Sequence, residues 1–361
     1  MGNRKTSFFT RICTIAMLLV IAAGIYYVNR PHTVSAEQLS GRTMGTTYNI
    51  KCWIVNSSID SPALQADIDR RLKQINQQMS TYLSDSELSR FNAAPADEWF
   101  NVSPSTAYVT ERALHYHHIT GGCSDVTVGP LLKLWDFGPG RGTAGSKLES
   151  PSEALLASAR ANTGGEHLEA RLNPPALKKA KGGLQVDLSS IAKGYAVDVV
   201  AEQLITRGVT NFMVEIGGEV RAGGTRPDGK PWRIALEAPD PRQRTLHRVV
   251  KLDNRALATS GDYRNFRDFA GEKVSHIINP KTGRPLPYRG WSVTLLTPTC
   301  LEADALATAL LVMGEDRGYD WCVEHKIAAL FLLRVDAGIV EKATPGFPDL
   351  ERLNGTASEG K

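Results

Sequence analysis

The sequence lacks the short signatures that mark the commoner hydrolases and NTPases. It contains no HExxH, no GxSxG and no P-loop. Cysteine is scarce. The five in 361 residues (Cys13, Cys52, Cys123, Cys300 and Cys322) include no CxxC pair, so neither a zinc pattern nor a disulfide framework is present. The four beyond the N-terminus are expected to be buried free thiols. The body also lacks net charge. Lys and Arg total 42 against 38 Asp and Glu, but Arg4, Lys5, Arg11 and Arg30 lie in the acid-free first 36 residues, leaving 38 of each sign. A neutral body offers no clustered basic footprint, so nucleic acid is not an expected partner. There is no internal repeat. With 42% apolar and 22% charged residues, wholesale disorder, collagen and long coiled coils are excluded.

What is present starts with an address. Three basic residues precede an uncharged apolar run from Ile12 to Val28, the order of an export signal whose first residues stay in the cytoplasm. Residues 1–36 are therefore expected to be a signal peptide or membrane anchor, with the body on the periplasmic side of an inner membrane. Val34-Ser35-Ala36 fits a small-residue cleavage site. The run is long for a signal core and short for a membrane span. No cysteine follows it closely enough for lipid attachment.

The body, residues 37–345, reads as one α+β unit with a mixed sheet, because strands and helices alternate without a regular βαβ rhythm. A polar linker is expected over 29–40, then a strand at 46–55. Ser61-Pro62 opens a helix in cap-then-proline order, with Leu64, Ile68, Leu72, Ile75 and Met79 as its apolar stripe. Ser84 and Glu87 suggest a capping box for a short helix ending near Phe91. A third helix runs from Ser103-Pro104 to Gly121-Gly122. A loop is expected over 138–150, a helix near 152–161, and strands near 185–188, 212–216, 232–236 and 327–335. The last apolar helix is placed at 301–313, and 346–361 form a polar, loosely held tail.

Two apparent motifs carry little. Residues 140–145 satisfy GxGxxG, but Pro139 precedes them and polar loop follows, so a surface turn is expected. His115, His117 and His118 sit at a helix C-terminus, which favours histidine anyway, and no carboxylate stands beside them. Four segments carry more. In 186–195 an acid and two hydroxyls lead into a helix whose free N–H groups suit an anion, unless Ser189 or Ser190 is an ordinary cap. In 302–308, Asp304 and Thr308 share a helix face. A carboxylate in so apolar a stripe costs on the order of several kcal/mol unless paired. A hard cation such as Mg²⁺ would relieve that cost, and so would a backbone group or an arginine. In 275–286, His276 leads into a short strand that ends in an Asn-Pro-Lys-Thr-Gly turn; it suits a general base or a structural role. In 215–219, paired glycines allow close backbone approach to a ligand.

In order and wording these segments resemble the FAD:protein FMN transferases, the ApbE family. The resemblance also runs through 43–48, 79–82, 86–88, 125–131, 135–138 and 258–263, and so covers the body from about Gly41 to Leu333. One departure is Asp136, where the family usually has glycine. The resemblance implies a T-fold-like architecture and an exported enzyme that uses Mg²⁺ and FAD. It would move FMN onto a Thr or Ser hydroxyl of a partner protein and release AMP. Implied partners are exported flavin-carrying subunits of membrane redox complexes, such as the Na⁺-pumping NADH:quinone reductase and the Rnf complex. Carried over position by position, Met44, Tyr82, Cys123, Ser124, Asp125, Asp187, Lys193 and Ile277 would contact the dinucleotide. Ser190, Asp304 and Thr308 would hold the metal, and His276 would be the base. Two alternatives share the site: an FAD pyrophosphatase yielding FMN and AMP, and a non-catalytic flavin-binding maturation factor.

Overall fold

The computed structural model describes Met17 and residues 34–55, 60–138, 149–240, 245–263, 266–269 and 271–351. In chain order the elements are β1 (Val34–Thr43), β2 (Thr46–Val55), α1 (Ser61–Met79), α2 (Glu87–Ala93), β3 (Phe100–Asn101), α3 (Pro104–Ile119), α4 (Gly129–Leu134) and α5 (Glu153–Ala161). They continue with β4 (Leu168–Leu172), β5 (Pro175–Lys179), α6 (Ala192–Thr206), β6 (Asn211–Ile216), β7 (Glu219–Gly223), β8 (Trp232–Glu237), β9 (Leu246–Leu252) and β10 (Ala256–Gly261). The remainder are β11 (Phe266–Phe269), β12 (Glu272–Ile278), β13 (Pro285–Pro287), β14 (Trp291–Thr297), α7 (Cys300–Met313), α8 (Glu315–Glu324), β15 (Ala328–Val335) and β16 (Gly338–Ala343).

Eight strands form the main sheet in the order β1-β2-β6-β7-β10-β14-β15-β16, every neighbouring pair antiparallel. Side chains on its central strands alternate between two cores, as the period of two requires. Ile50, Val214, Ala258, Val293 and Phe331 face α6 and α7 in the larger core. Val220, Leu257, Leu296, Leu330 and Leu332 face the hairpin of β8 and β9. Burial on both faces explains why β14 is buried at all seven positions. α7 is also buried nearly all round, with eleven of its fourteen residues inside, including Asp304. A small sheet, β11-β12-β13, docks on α4 and α5 through Leu131, Trp135, Leu156, Phe269 and Ile278. The Trp135 indole N–H donates to the Gly283 carbonyl at 2.8 Å and fixes that contact.

The α+β reading, the strand at 46–55 and the α1 stripe match the structure, and Leu64, Ile68, Leu72, Ile75 and Met79 are α1's buried residues. Several expectations need correction. The supposed linker is strand β1 from Val34, paired along its length with β2; it reads as polar because it lies at the sheet edge. The Val34-Ser35-Ala36 site therefore lies inside a paired strand. The short helix is capped by Ser86, whose hydroxyl accepts the Ser89 N–H, not by Ser84. The segment 185–188 makes a single bridge, Gln185 to Val128, because its next donors turn to other partners: Val186 N–H to the Asn92 side chain on α2 and Asp187 N–H to the Val126 carbonyl. α8 follows the helix expected to be last. The tail is held as far as Glu351, which pairs with Val249 through its backbone and with Arg233 and Lys251 through its carboxylate. Cys52, Cys123, Cys300 and Cys322 are free and buried, as expected. The GxGxxG segment, most of the 138–150 loop, the apolar run apart from Met17, and the end of the tail lie outside the described residues.

Candidate active site

A cleft of about 1940 Å³ opens between the main sheet, the first turns of α6 and α7, and the β11-β12-β13 sheet. It is larger than the roughly 300–1,000 Å³ of a drug-sized pocket, so an extended ligand fits with room beside it. All twelve residues singled out in the sequence line it: Met44, Tyr82, Cys123, Ser124, Asp125, Asp187, Ser190, Lys193, His276, Ile277, Asp304 and Thr308. They come from six separate stretches of chain, so only the fold brings them together.

Local geometry explains each wall. Met44 and Gly45 form the two-residue turn between β1 and β2, both with positive φ (49° and 73°), which presents Met44 at the rim. Tyr82 stands 62% exposed just after α1. Asp187 is buried and accepts from Thr81 Oγ1 at 3.2 Å and from the Ser189 N–H at 2.8 Å. Asp125 accepts the Thr127 N–H and hydroxyl at 2.8 and 2.6 Å. Behind it, His117 Nδ1 is 3.0 Å from the Ser124 carbonyl and 3.5 Å from Asp125, and Nε2 is 3.8 Å from Glu166. Carboxylates do therefore stand beside one of the three histidines, brought there by the fold. Among the described residues, no group of three or more His, Cys, Asp or Glu is arranged to hold a metal.

The charged centre lies where α6 and α7 cross. Neither Ser189 nor Ser190 caps α6; the cap position is Ile191, with no side-chain hydrogen bond. The cap comes from the neighbouring helix instead, since Asp304 Oδ2 accepts the Gly194 N–H at 2.9 Å. That bond needs close approach. A Cβ on Gly194 would sit against the Cys300 carbonyl and 2.8 Å from the Asp304 Cβ, so glycine is required there. Lys193 Nζ donates to Glu219 Oε1 at 2.6 Å and leans toward Asp304 Oδ1 at 3.5 Å. Burial alone would depress the Lys193 ammonium, but Asp304 and Glu219 beside it hold it well above its ordinary range. Burial pushes the Glu219 carboxyl up to about 7, and the Asp304 charge adds to the rise against the pull of Lys193. The second Glu219 oxygen, Oε2, is buried without a hydrogen-bond partner among the described residues.

This donor set fits a hard cation. Asp304, Thr308 and Ser190 offer only oxygens to the cleft, and Thr308 is steadied by Ser260 at 3.1 Å. Asp304 Oδ1 already attracts a cation, the Lys193 ammonium, at 3.5 Å. The equally open alternative for Asp304, a backbone group or an arginine, is met in its backbone form at Oδ2, while Oδ1 has the longer approach of Lys193. Magnesium needs few protein ligands when phosphate and water complete its shell.

His276 lies within β12, not ahead of it, between buried Ser275 and Ile277. Pairing of β12 with β13 shifts register between Val274 and Ile278, the stretch that holds His276. Such irregularities re-aim side chains, here into the cleft.

Sequence reasoning missed three features. Glu219 reads in the sequence only as the end of a glycine turn, yet it is the second carboxylate of the centre; a glutamate at the first position of a strand that is mostly buried was the available signal. Arg267 lines the cleft from β11 and pairs with Asp136 at 2.8 Å. Asp136 itself has φ +55°, a conformation that glycine adopts most freely, and its carboxylate is what holds Arg267. Asp198 accepts the Cys300 and Leu301 N–H groups at 3.0 and 2.9 Å, tying the start of α7 to α6, and is paired in turn with Arg221.

Comparison with known proteins gives the family. The sequence model of the ApbE family matches residues 44–331. A Vibrio cholerae protein named FAD:protein FMN transferase is 48% identical over 314 residues, covering 86% of this chain and 92% of its own. Among solved structures, the flavin transferase ApbE from Vibrio cholerae superposes with a TM-score of 0.77 at 45% identity, covering 87% of this chain and 98% of that one. The apo Pseudomonas stutzeri flavinyl transferase ApbE gives 0.78 at 38% identity, covering 87% and 96%. With the family pattern spanning most of the body and the fold shared along nearly the whole length of these enzymes, the chain belongs to the ApbE family.

Proposed function

We propose that this chain is an FAD:protein FMN transferase that uses Mg²⁺ to move the FMN half of FAD onto a Thr or Ser hydroxyl of an acceptor protein. The observation that carries the reading is the convergence of Asp304, Thr308, Ser190, Lys193 and His276 on one cleft large enough for a dinucleotide and an approaching chain. The names of the relatives support the same activity.

The chemistry follows from charge. The diphosphate of FAD repels an oxygen nucleophile, so the site must supply positive charge and remove a proton. Asp304, Thr308 and Ser190 would hold Mg²⁺, which when bound screens the diphosphate and the charge growing on the leaving AMP. Lys193, kept cationic by its two carboxylate neighbours, adds to that field. His276 takes the proton of the acceptor hydroxyl. The acceptor oxygen then bonds to the FMN phosphorus as the P–O bond to AMP breaks, and AMP departs with the electron pair. Ile277 and Cys123, which both line the cleft, offer apolar surface to the flavin ring.

We place the body on the periplasmic side of an inner membrane, because the basic start and apolar run form an export pattern. Among the described residues no helix is long and apolar enough to cross a membrane. The proposed acceptors are exported flavin-carrying subunits of Nqr- or Rnf-type complexes.

The test incubates the chain with FAD, Mg²⁺ and such an acceptor domain and weighs the acceptor intact. Addition of FMN is expected with the wild type, and none with Asp304→Ala. His276→Ala is expected to bind FAD and fail to transfer. Rapid release of free FMN without acceptor would make the chain a hydrolase, and FAD left intact with acceptor and Mg²⁺ present would make it a binding factor.

A further inference from the structure

Between β7 and the crossing of α6 with α7, one ammonium is shared unequally by two buried carboxylates. Lys193 Nζ is 2.6 Å from Glu219 Oε1 and 3.5 Å from Asp304 Oδ1. Asp304 Oδ2 is committed to the Gly194 N–H, so Oδ1 is the oxygen left for a cation, and it is also the one Lys193 approaches. Glu219 is only 5% exposed, and its Oε2 has no hydrogen-bond partner among the described residues. A buried carboxylate with an idle oxygen costs stability unless a nearby charge uses it. Here the idle oxygen gives the ammonium somewhere to go when it leaves Asp304.

We propose that Glu219 is a positioning residue that draws the Lys193 ammonium aside so that Asp304 can accept a divalent cation. The inference rests on the metal reading of Asp304 and goes beyond it. Two carboxylates and one ammonium leave a single net negative charge at the crossing. Without Glu219, the ammonium would settle on Asp304 Oδ1, cancel that carboxylate and compete with the metal for the same oxygen. With Glu219 present, Lys193 stays cationic and within reach of a diphosphate but off the metal ligand.

The test measures uptake of Mn²⁺, as a probe for Mg²⁺, by the full chain without nucleotide, using the electron paramagnetic resonance of free Mn²⁺. Five proteins are compared: wild type, Asp304→Asn, Glu219→Gln, Lys193→Met and the Glu219→Gln/Lys193→Met double variant. Wild-type uptake lost in Asp304→Asn supports the metal reading; no wild-type uptake, or uptake indifferent to Asp304→Asn, ends that reading and this inference with it. Given Asp304-dependent uptake, Glu219→Gln should weaken affinity about tenfold, a coupling of the size neighbouring charges show. Lys193→Met should tighten it, and in that background Glu219→Gln should have little further effect. An unchanged affinity in Glu219→Gln overturns the inference while leaving the metal reading intact. The same loss with and without Lys193 also overturns it, since Glu219 would then act only as a distant charge. Should Glu219→Gln fail to fold, Lys193→Met alone decides: weaker uptake in that variant refutes the proposal.

Discussion

Position 136 sets two energies against each other, and a short series of substitutions separates them. Asp136 holds φ at +55°, a conformation that costs an L-residue on the order of 1–2 kcal/mol and glycine almost nothing. Its carboxylate also meets Arg267 at 2.8 Å, with the two side chains 25% and 14% exposed, and the guanidinium lies 5.9 Å from the Phe137 ring centroid. An ion pair this accessible contributes about 1 kcal/mol. Asp136→Gly loses the pair but relieves the backbone, so stability should change by less than about 1 kcal/mol. Asp136→Ala loses the pair and keeps the strain, and should fall below the glycine variant by about 1–2 kcal/mol. Urea unfolding of both, alone and combined with Arg267→Ala, measures the two energies separately. Equal stability of the glycine and alanine variants would refute the positive φ, and full additivity with Arg267→Ala would refute the ion pair.

Two further outcomes follow from the crossing of α6 and α7. Gly194→Ala should destabilise by about 1–3 kcal/mol despite alanine's better helix propensity, because the added methyl meets the Cys300 carbonyl and the Asp304 Cβ; a thermal melt unchanged from wild type would show that the helices are not so close. Glu219 predicts a pH dependence. Its carboxyl is raised from an ordinary 4.5 to about 7 by burial and by Asp304, so the fold holds a proton that the unfolded chain releases. Stability from this group is therefore full below pH 4.5, falls as pH rises, and is lost by about pH 7, a change of about 3 kcal/mol at most. In chelator-treated protein, Glu219→Gln should lose that part of the slope; identical slopes would contradict the burial of Glu219.

Much of this arrangement was legible in the chain because it rests on local rules. The α1 stripe, the Ser103-Pro104 start of α3 and the Asp304/Thr308 spacing are short-range patterns, and α7 was recognisable from its largely apolar run. Missed features depend on partners distant in sequence. β1 reads as linker because an edge strand tolerates polar residues, and only pairing with β2 shows it. Ser189 and Ser190 look like helix caps, but the α6 N-terminus is capped by Asp304, 110 residues away. Glu219 appears as a turn residue until Lys193 is placed beside it, and Asp136 looks anomalous until Arg267 arrives from β11.

The central claim is that Asp304 and Thr308 seat a divalent ion against the diphosphate of FAD. The most direct measurement is a crystal soaked with FAD and Mn²⁺, with the ion located by anomalous scattering. The account predicts a peak at about 2.1–2.3 Å from the Asp304 carboxylate and the Thr308 hydroxyl, with phosphate oxygens on its other side. A peak elsewhere in the cleft, with Asp304 still bonded only to Gly194 and Lys193, would contradict it.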